Sequence, residues 1–140
     1  IVGAIGDVVR ATPSAVTWRW RAGPSIFPDA VRFLPDGGVV ASLSNAFLRG
    51  RLVVLDEDGH RRRTIALPEQ PSGGDLAVFA GRAIWRSARH VYMTGLATGA
   101  TRSILAARGS HQEISGLAVV DGSAYVAIDA DHGRLVRLRL

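Results

Sequence analysis

The sequence predicts an all-β fold of β-propeller type, on two observations. Turn-forming residues recur at Ala15, Gly37, Gly59, Gly81, Gly99 and Gly122, with strand-like apolar runs between them. Their intervals of about 22 residues pair into a repeat of about 40 to 44, the length of a four-stranded antiparallel blade with two hairpin turns. The second observation is self-similarity, because the copies overlay in two phases.

In chain order, residues 1–22 supply one outer hairpin of a split blade: Val8-Val9-Arg10, the turn Pro13-Ser14-Ala15, then Val16-Thr17-Trp18. Residues 29–67 supply a full blade. Its inner hairpin runs through Ala30-Val31-Arg32-Phe33, Asp36-Gly37 and Val39-Val40-Ala41, and its outer hairpin through Leu52-Val53-Val54-Leu55, Asp58-Gly59 and Thr64-Ile65. Residues 75–107 supply the next blade. Leu76-Ala77-Val78-Phe79, Gly81 and Ala83-Ile84-Trp85 repeat the inner phase, and Val91-Tyr92-Met93-Thr94 before Thr98-Gly99 repeats the outer one. Residues 114–140 end after about three strands, with Leu117-Ala118-Val119-Val120, Asp121-Gly122 and Ala124-Tyr125-Val126 as the inner hairpin.

Turn chemistry agrees with this division. Asp-Gly supplies the positive φ that tight hairpin turns need, and Asp36-Gly37, Asp58-Gly59 and Asp121-Gly122 all fall where the repeat requires a turn. The prolines are expected at turns and seams, where a missing N–H breaks no ladder. Residues 101–108 alone have helix-like spacing, a stretch too short to carry a helical fold. The total is about three blades, against about 4 to 8 in closed propellers. The expectation is therefore a segment of a larger propeller, or else a short chain that closes a ring as a homo-oligomer.

Composition excludes several classes. Among 140 residues there is no cysteine, so neither disulfides nor thiolate chemistry is available. No apolar run reaches the ~18 residues of a membrane span. The +5 charge comes from 17 arginines with no lysine, a bias typical of GC-rich bacterial coding. These arginines are dispersed, and the one run, Arg61-Arg62-Arg63, follows Asp56-Glu57-Asp58, so a solvated hairpin is preferred to a nucleic-acid patch.

Asp129-Ala130-Asp131-His132-Gly133 has the D-x-D-x-G opening of a calcium loop and makes Asp129 and Asp131 the candidate metal ligands. The later ligands of such a loop are absent, and a polar connection between strands is the preferred reading. His60, His90, His111 and His132 share no metal-binding spacing, and no G-x-S-x-G elbow is present. Trp85, Phe33 and Phe79 are expected to wedge sheets together, and Trp18 and Trp20, two residues apart, to face one side of a strand.

Val16-Thr17-Trp18-Arg19-Trp20 after a Pro-Ser-Ala turn, Leu52 to Gly59, and Leu96-Ala97-Thr98-Gly99 resemble the outer-strand repeats of bacterial quinoprotein-like (PQQ-type) propellers. Residues 28–37 resemble the blade opening of NHL-type and arylsulfotransferase-like propellers. The chain departs from the first pattern at Arg62 and Arg102, where tryptophan is expected, and from the last at Pro28, where histidine is expected. The resemblance implies architecture; it carries over neither quinone binding nor sulfuryl transfer.

Two functions follow. The first is a non-catalytic binding or scaffold module for a protein or a small ligand, without a cofactor. Its candidate residues lie in connections between strands, where propellers carry their sites: Asn45, Arg49, Arg86, Arg89, His90 and Glu113. The alternative is a metal-dependent hydrolase of the gluconolactonase-like kind, with calcium held by carboxylates lining a channel and Glu113 as the candidate that faces it.

Overall fold

The computed structural model describes residues 2–4, 6–45, 48–130 and 132–140. Among them the chain is all-β, every strand pairing antiparallel with its sequence neighbour, and no helix is present. No helix is therefore long and apolar enough to cross a membrane. The chain divides into two compact units, 1–70 and 71–140.

In the first unit, β1 (Val2–Ala4), β2 (Asp7–Ala11) and β3 (Val16–Arg21) form a three-stranded sheet. The sequence pattern indicated one hairpin here; the structure adds β1, paired Val2↔Val9 through Ala4↔Asp7. Gly6, at φ +80°, helps the chain reverse over so short a distance. Next come β4 (Ile26–Phe33), β5 (Val39–Asn45), β6 (Leu48–Leu55) and β7 (Arg61–Ala66), a four-stranded meander in sequence order. Pro28 lies inside β4, which is an edge strand, at the register shift between Pro28 and Ala30. An edge with a bulge is where a residue without N–H does least harm.

Two turns of this meander share one construction. Gly37 N–H donates to the Leu34 carbonyl at 3.1 Å, and Gly59 N–H donates to that of Asp56 at 3.1 Å. Both glycines have φ near +80°, at +82° and +83°. Gly59 carries a second constraint, because a Cβ there would sit 2.6 Å from Cδ2 of Trp18. The Trp18 indole lies on that turn and donates from Nε1 to the Glu57 carbonyl at 2.8 Å. Trp18 and Trp20 pack together against Val8, Val39, Ala41, Leu43, Val53 and Leu55, as their alternation predicts.

The second unit begins with β8 (Leu76–Phe79), β9 (Arg82–Arg86), β10 (His90–Gly95) and β11 (Thr101–Ala106), again a meander. β12 (Glu113–Val120), β13 (Ser123–Asp129) and β14 (Arg134–Arg139) follow as a three-stranded sheet. Residues 101–108, whose spacing looks helical, pair with β10 from Thr101 to Ala106. The turns Ala80-Gly81 and Asp121-Gly122 have positive φ at both positions, +47° and +72°, then +46° and +70°. These are the type I′ angles that match the twist of a two-residue hairpin.

Between the two sheets of this unit lie Ile84, Val91, Met93, Ile114, Val126 and Ile128. On the other face of β9, Trp85 is fully buried and stacked on Tyr92, with ring centroids 4.4 Å apart and planes 20° apart. Phe79 packs on the Asp121-Gly122 turn, 3.1 Å from where a Gly122 Cβ would be. Phe33 corrects the expectation of an aromatic wedge, since it is 60% exposed. It is the last residue of β4, where the hairpin turn leads away from the core.

Candidate functional site

Each unit gathers polar side chains at the end of a hairpin remote from its turn, β4–β5 in the first unit and β8–β9 with β12–β13 in the second. In the first unit the bulge at Asp29 turns that carboxylate toward β5, where Ser44 Oγ donates to it at 2.8 Å. Asn45 ends the same strand, and its carbonyl accepts from Gln70 Nε2 at 2.7 Å. Gln70 Oε1 is buried with no hydrogen-bond partner among the described residues. Arg49, on β6 beyond the 45–48 connection, is exposed.

Desolvation holds the Asp29 carboxyl above its ordinary pKa of 3.8, and the Ser44 hydrogen bond opposes this only in part. A raised folded-state pKa means that the native state binds more protons than the unfolded chain, so stability falls as pH rises from about 3.8 through the folded value. Above that window the cost of the charge is fully present. Asp29→Asn, which keeps the acceptor for Ser44, is expected to leave the protein slightly more stable at pH 7 and to flatten this limb. Urea midpoints measured from pH 3.5 to 7 check it; an unchanged slope would count against a desolvated Asp29.

In the second unit the structure brings five of the sequence candidates to one end. Arg86, the last residue of β9, is buried, and its guanidinium is engaged internally. Nε donates to Asp75 Oδ2 at 2.5 Å, Nη1 to the Ile114 carbonyl at 2.5 Å and Nη2 to the Ser115 carbonyl at 3.1 Å. Gly73 makes room for it, since a Cβ there would collide with Nη2. The β9–β10 turn that follows is tied to the same strand, with Ile114 N–H donating to the Ala88 carbonyl at 2.7 Å. Within that turn Ser87 Oγ accepts from His90 N–H at 3.0 Å, and Arg89 Nη2 donates to the Gly109 carbonyl at 2.6 Å. The His90 ring lies 5.5 Å from that of Tyr92.

Glu113 and Asp129 are register partners across β12 and β13. Two carboxylates directly opposite repel one another. Ser115 Oγ, at the β12 register shift, donates to Asp129 Oδ1 at 3.0 Å and relieves part of that. The other calcium candidate, Asp131, lies outside the described residues.

A further carboxylate group is suggested by the sequence more weakly than the Asp129 loop, in Asp56-Glu57-Asp58-Gly59. Asp56, Asp58 and His60 bring ligand atoms within 4.8 Å of one another on the β6–β7 turn. Asp56 Oδ1 there already accepts from Asp58 N–H at 3.0 Å and His60 N–H at 2.8 Å, which makes the arrangement a side-chain-capped turn. The arginine run is partly neutralised by Asp36, which pairs with Arg62, together with the nearby charges of Asp56 and Glu57 that the sequence indicates. The Arg62 bond holds the Asp36 carboxyl below its ordinary pKa.

Asp29 and Asp75 escaped the sequence reading. Pro28-Asp29-Ala30-Val31-Arg32-Phe33 and Gly74-Asp75-Leu76-Ala77-Val78-Phe79 place an aspartate four residues before the phenylalanine that enters the first hairpin turn. Extending the inner-hairpin overlay by one residue toward the N-terminus would have found both. The third copy has Gly116 at this point and carries its aspartate, Asp129, on the neighbouring strand. No protein-family model, curated protein or solved structure matches this chain.

Proposed function

We propose that this chain is a β-propeller segment of about three blades serving as a non-catalytic module, which binds a protein or small ligand at the polar ends of its sheets. The observation that carries the reading is the recurrence of one polar pair at one place in successive sheets. Asp29 with Ser44, Asp75 with Arg86, and Ser115 with Asp129 all bridge the first and second strands at the end away from the hairpin turn. Repetition of a polar site at one end of repeated meanders is how propellers build a ligand face. A carboxyl held above its ordinary range at Asp29 and an unpartnered acceptor at Gln70 favour a ligand that presents hydrogen-bond donors.

Amide spectra recorded against a panel of sugars, primary amines and short peptides test this. The expected result is saturable shifts confined to residues 26–29, 42–45 and 67–70, or to 86–90, 113–116 and 127–129, reduced in Asp29→Ala or Asp129→Ala respectively. Uniform, non-saturating shifts across the whole panel would oppose it.

A second reading, the metal-dependent hydrolase, is favoured by one observation, the facing pair Glu113 and Asp129. Hard cations take oxygen ligands and would relieve that repulsion. Saturable thermal stabilisation by calcium that disappears in Glu113→Gln supports this reading; no stabilisation removes it.

A further inference from the structure

The rim of the second unit where β10 turns into β11 is built differently from the polar ends described above. A cleft of about 290 Å³ opens there, lined by Arg82, Met93, Gly95, Thr98, Thr101 and Arg102. Arg82 pairs in register with Gly95, and Arg102 pairs with Met93, so both arginines project from the face of the sheet that carries Gly95 and Met93. They flank the central strand β10. Strand spacing and rise put their Cα atoms about 12 Å apart, within reach of two extended guanidinium groups converging over the strand between them.

That strand offers no obstruction, because the residue beside Arg82 is a glycine. A Cβ at Gly95 would lie 2.6 Å from Thr98 Oγ1, so the missing side chain is what lets the Thr98 hydroxyl fold over the sheet. Thr98 Oγ1 accepts from Ala100 N–H at 3.2 Å, which leaves its own proton to donate.

Behind the cleft, on the opposite face of the sheet, Trp85 anchors the Thr94 and Thr101 hydroxyls and so holds the backbone of the rim. The indole of Trp85 can only donate, so Thr94 Oγ1 accepts from its Nε1 at 2.9 Å. Thr94 and Thr101 share a hydroxyl–hydroxyl hydrogen bond of 2.9 Å on this face, and Thr101 Oγ1 donates to the Gly99 carbonyl at 3.5 Å. Among the described residues no carboxylate pairs with either guanidinium. The only polar side-chain contact shown for Arg102 is a long one, Nη2 to Met93 Sδ at 3.8 Å.

We infer that the Arg82–Arg102 cleft is a binding site for a tetrahedral oxyanion, a phosphate or sulfate group standing free or as the end of a small ester. Two guanidinium forks supply charge and paired N–H donors, and the Thr98 hydroxyl supplies a further donor, the set that such a group's oxygens accept. The volume holds the anion and a small substituent, while the open rim lets the remainder of an ester extend into solvent. This site is separate from the Asp29 and Asp129 ends, so its fate and theirs are tested independently.

The test is titration of the full chain with inorganic phosphate, then sulfate, then phenyl phosphate, at ionic strength held constant with sodium chloride and followed by amide and arginine Nε–H spectra. The expected result is saturable shifts at Gly95, Thr98, Ala100 and Thr101 and at the Nε–H of Arg82 and Arg102. Affinity is expected to fall about tenfold in either Arg82→Gln or Arg102→Gln, the effect of one lost charge-assisted hydrogen-bond pair. Tighter binding of phenyl phosphate than of phosphate assigns the site to esters, and the reverse assigns it to the free ion. Chloride producing the same shifts, a response that does not saturate, or equal affinity in the Arg82→Gln/Arg102→Gln double variant would overturn the inference. Both arginines are exposed, and Arg134→Gln serves as a surface-charge control that leaves affinity unchanged.

Discussion

Replacing Arg86 with alanine is expected to destabilise the protein by about 3 to 5 kcal/mol, the range for removing one partner of a buried ion pair. Three separate bonds disappear together. Asp75 loses its counter-charge, and the carbonyls of Ile114 and Ser115 lose their donors at the β12 register shift. Arg86→Lys is expected to recover less than half of the loss, because an ammonium cannot reproduce a planar fork aimed at three acceptors. Arg86→Met combined with Asp75→Asn should cost less than Arg86→Ala alone, since no charge is then left without its partner. Urea unfolding followed by hydrogen exchange at the β9 and β12 amides measures all three. A loss below about 1 kcal/mol in Arg86→Ala would mean that desolvation offsets the whole network.

Trp85→Ala is the second large effect, at about 3 to 5 kcal/mol for emptying a fully buried aromatic site. The indole fills the space between β9 and its neighbours, stacks on Tyr92, and satisfies the buried Thr94 hydroxyl. Trp85→Phe separates these parts: it keeps an aromatic stack and removes the Nε1 donor, for an expected cost of about 1 to 2 kcal/mol. Near-ultraviolet circular dichroism should lose most of the Tyr92 signal in the alanine variant and retain it in the phenylalanine one. Equal losses in the two variants would show that the hydrogen bond, and not the packing, holds this region.

The strands were legible in the sequence because their boundaries are chemical. Gly37, Gly59 and Gly122 stand at positive φ at the turns their Asp-Gly pairs announce, and the unbroken apolar run at Val39-Val40-Ala41 is buried as a two-faced strand should be. β1 was missed because three residues give no usable periodicity. Residues 101–108 mimic a helix because the β10–β11 pairing shifts register between Val91 and Tyr92, which breaks strict alternation.

The polar ends were only half visible. Asn45, Arg86, Arg89, His90, Glu113 and Asp129 stand in connections or at strand ends, which sequence spacing locates well. Their partners are long-range: Asp75 reaches Arg86 across a hairpin, and Ser115 reaches Asp129 across another. Pattern reading assigns residues to turns without saying which turns meet. The Arg82–Arg102 cleft was hidden for the same reason, as it depends on a glycine on β10 lying between arginines on β9 and β11.

The last strand of every sheet carries guanidinium groups: Arg19 and Arg21 on β3, Arg61 to Arg63 on β7, Arg102 on β11, and Arg134, Arg137 and Arg139 on β14. Charged edges discourage strand addition by other chains. Because the chain has no lysine, no side-chain amine exists for acetylation or ubiquitin attachment to act on. The guard on these edges is therefore permanent, closed to the commonest charge-erasing modification of cells and to amine-directed coupling reagents at the bench.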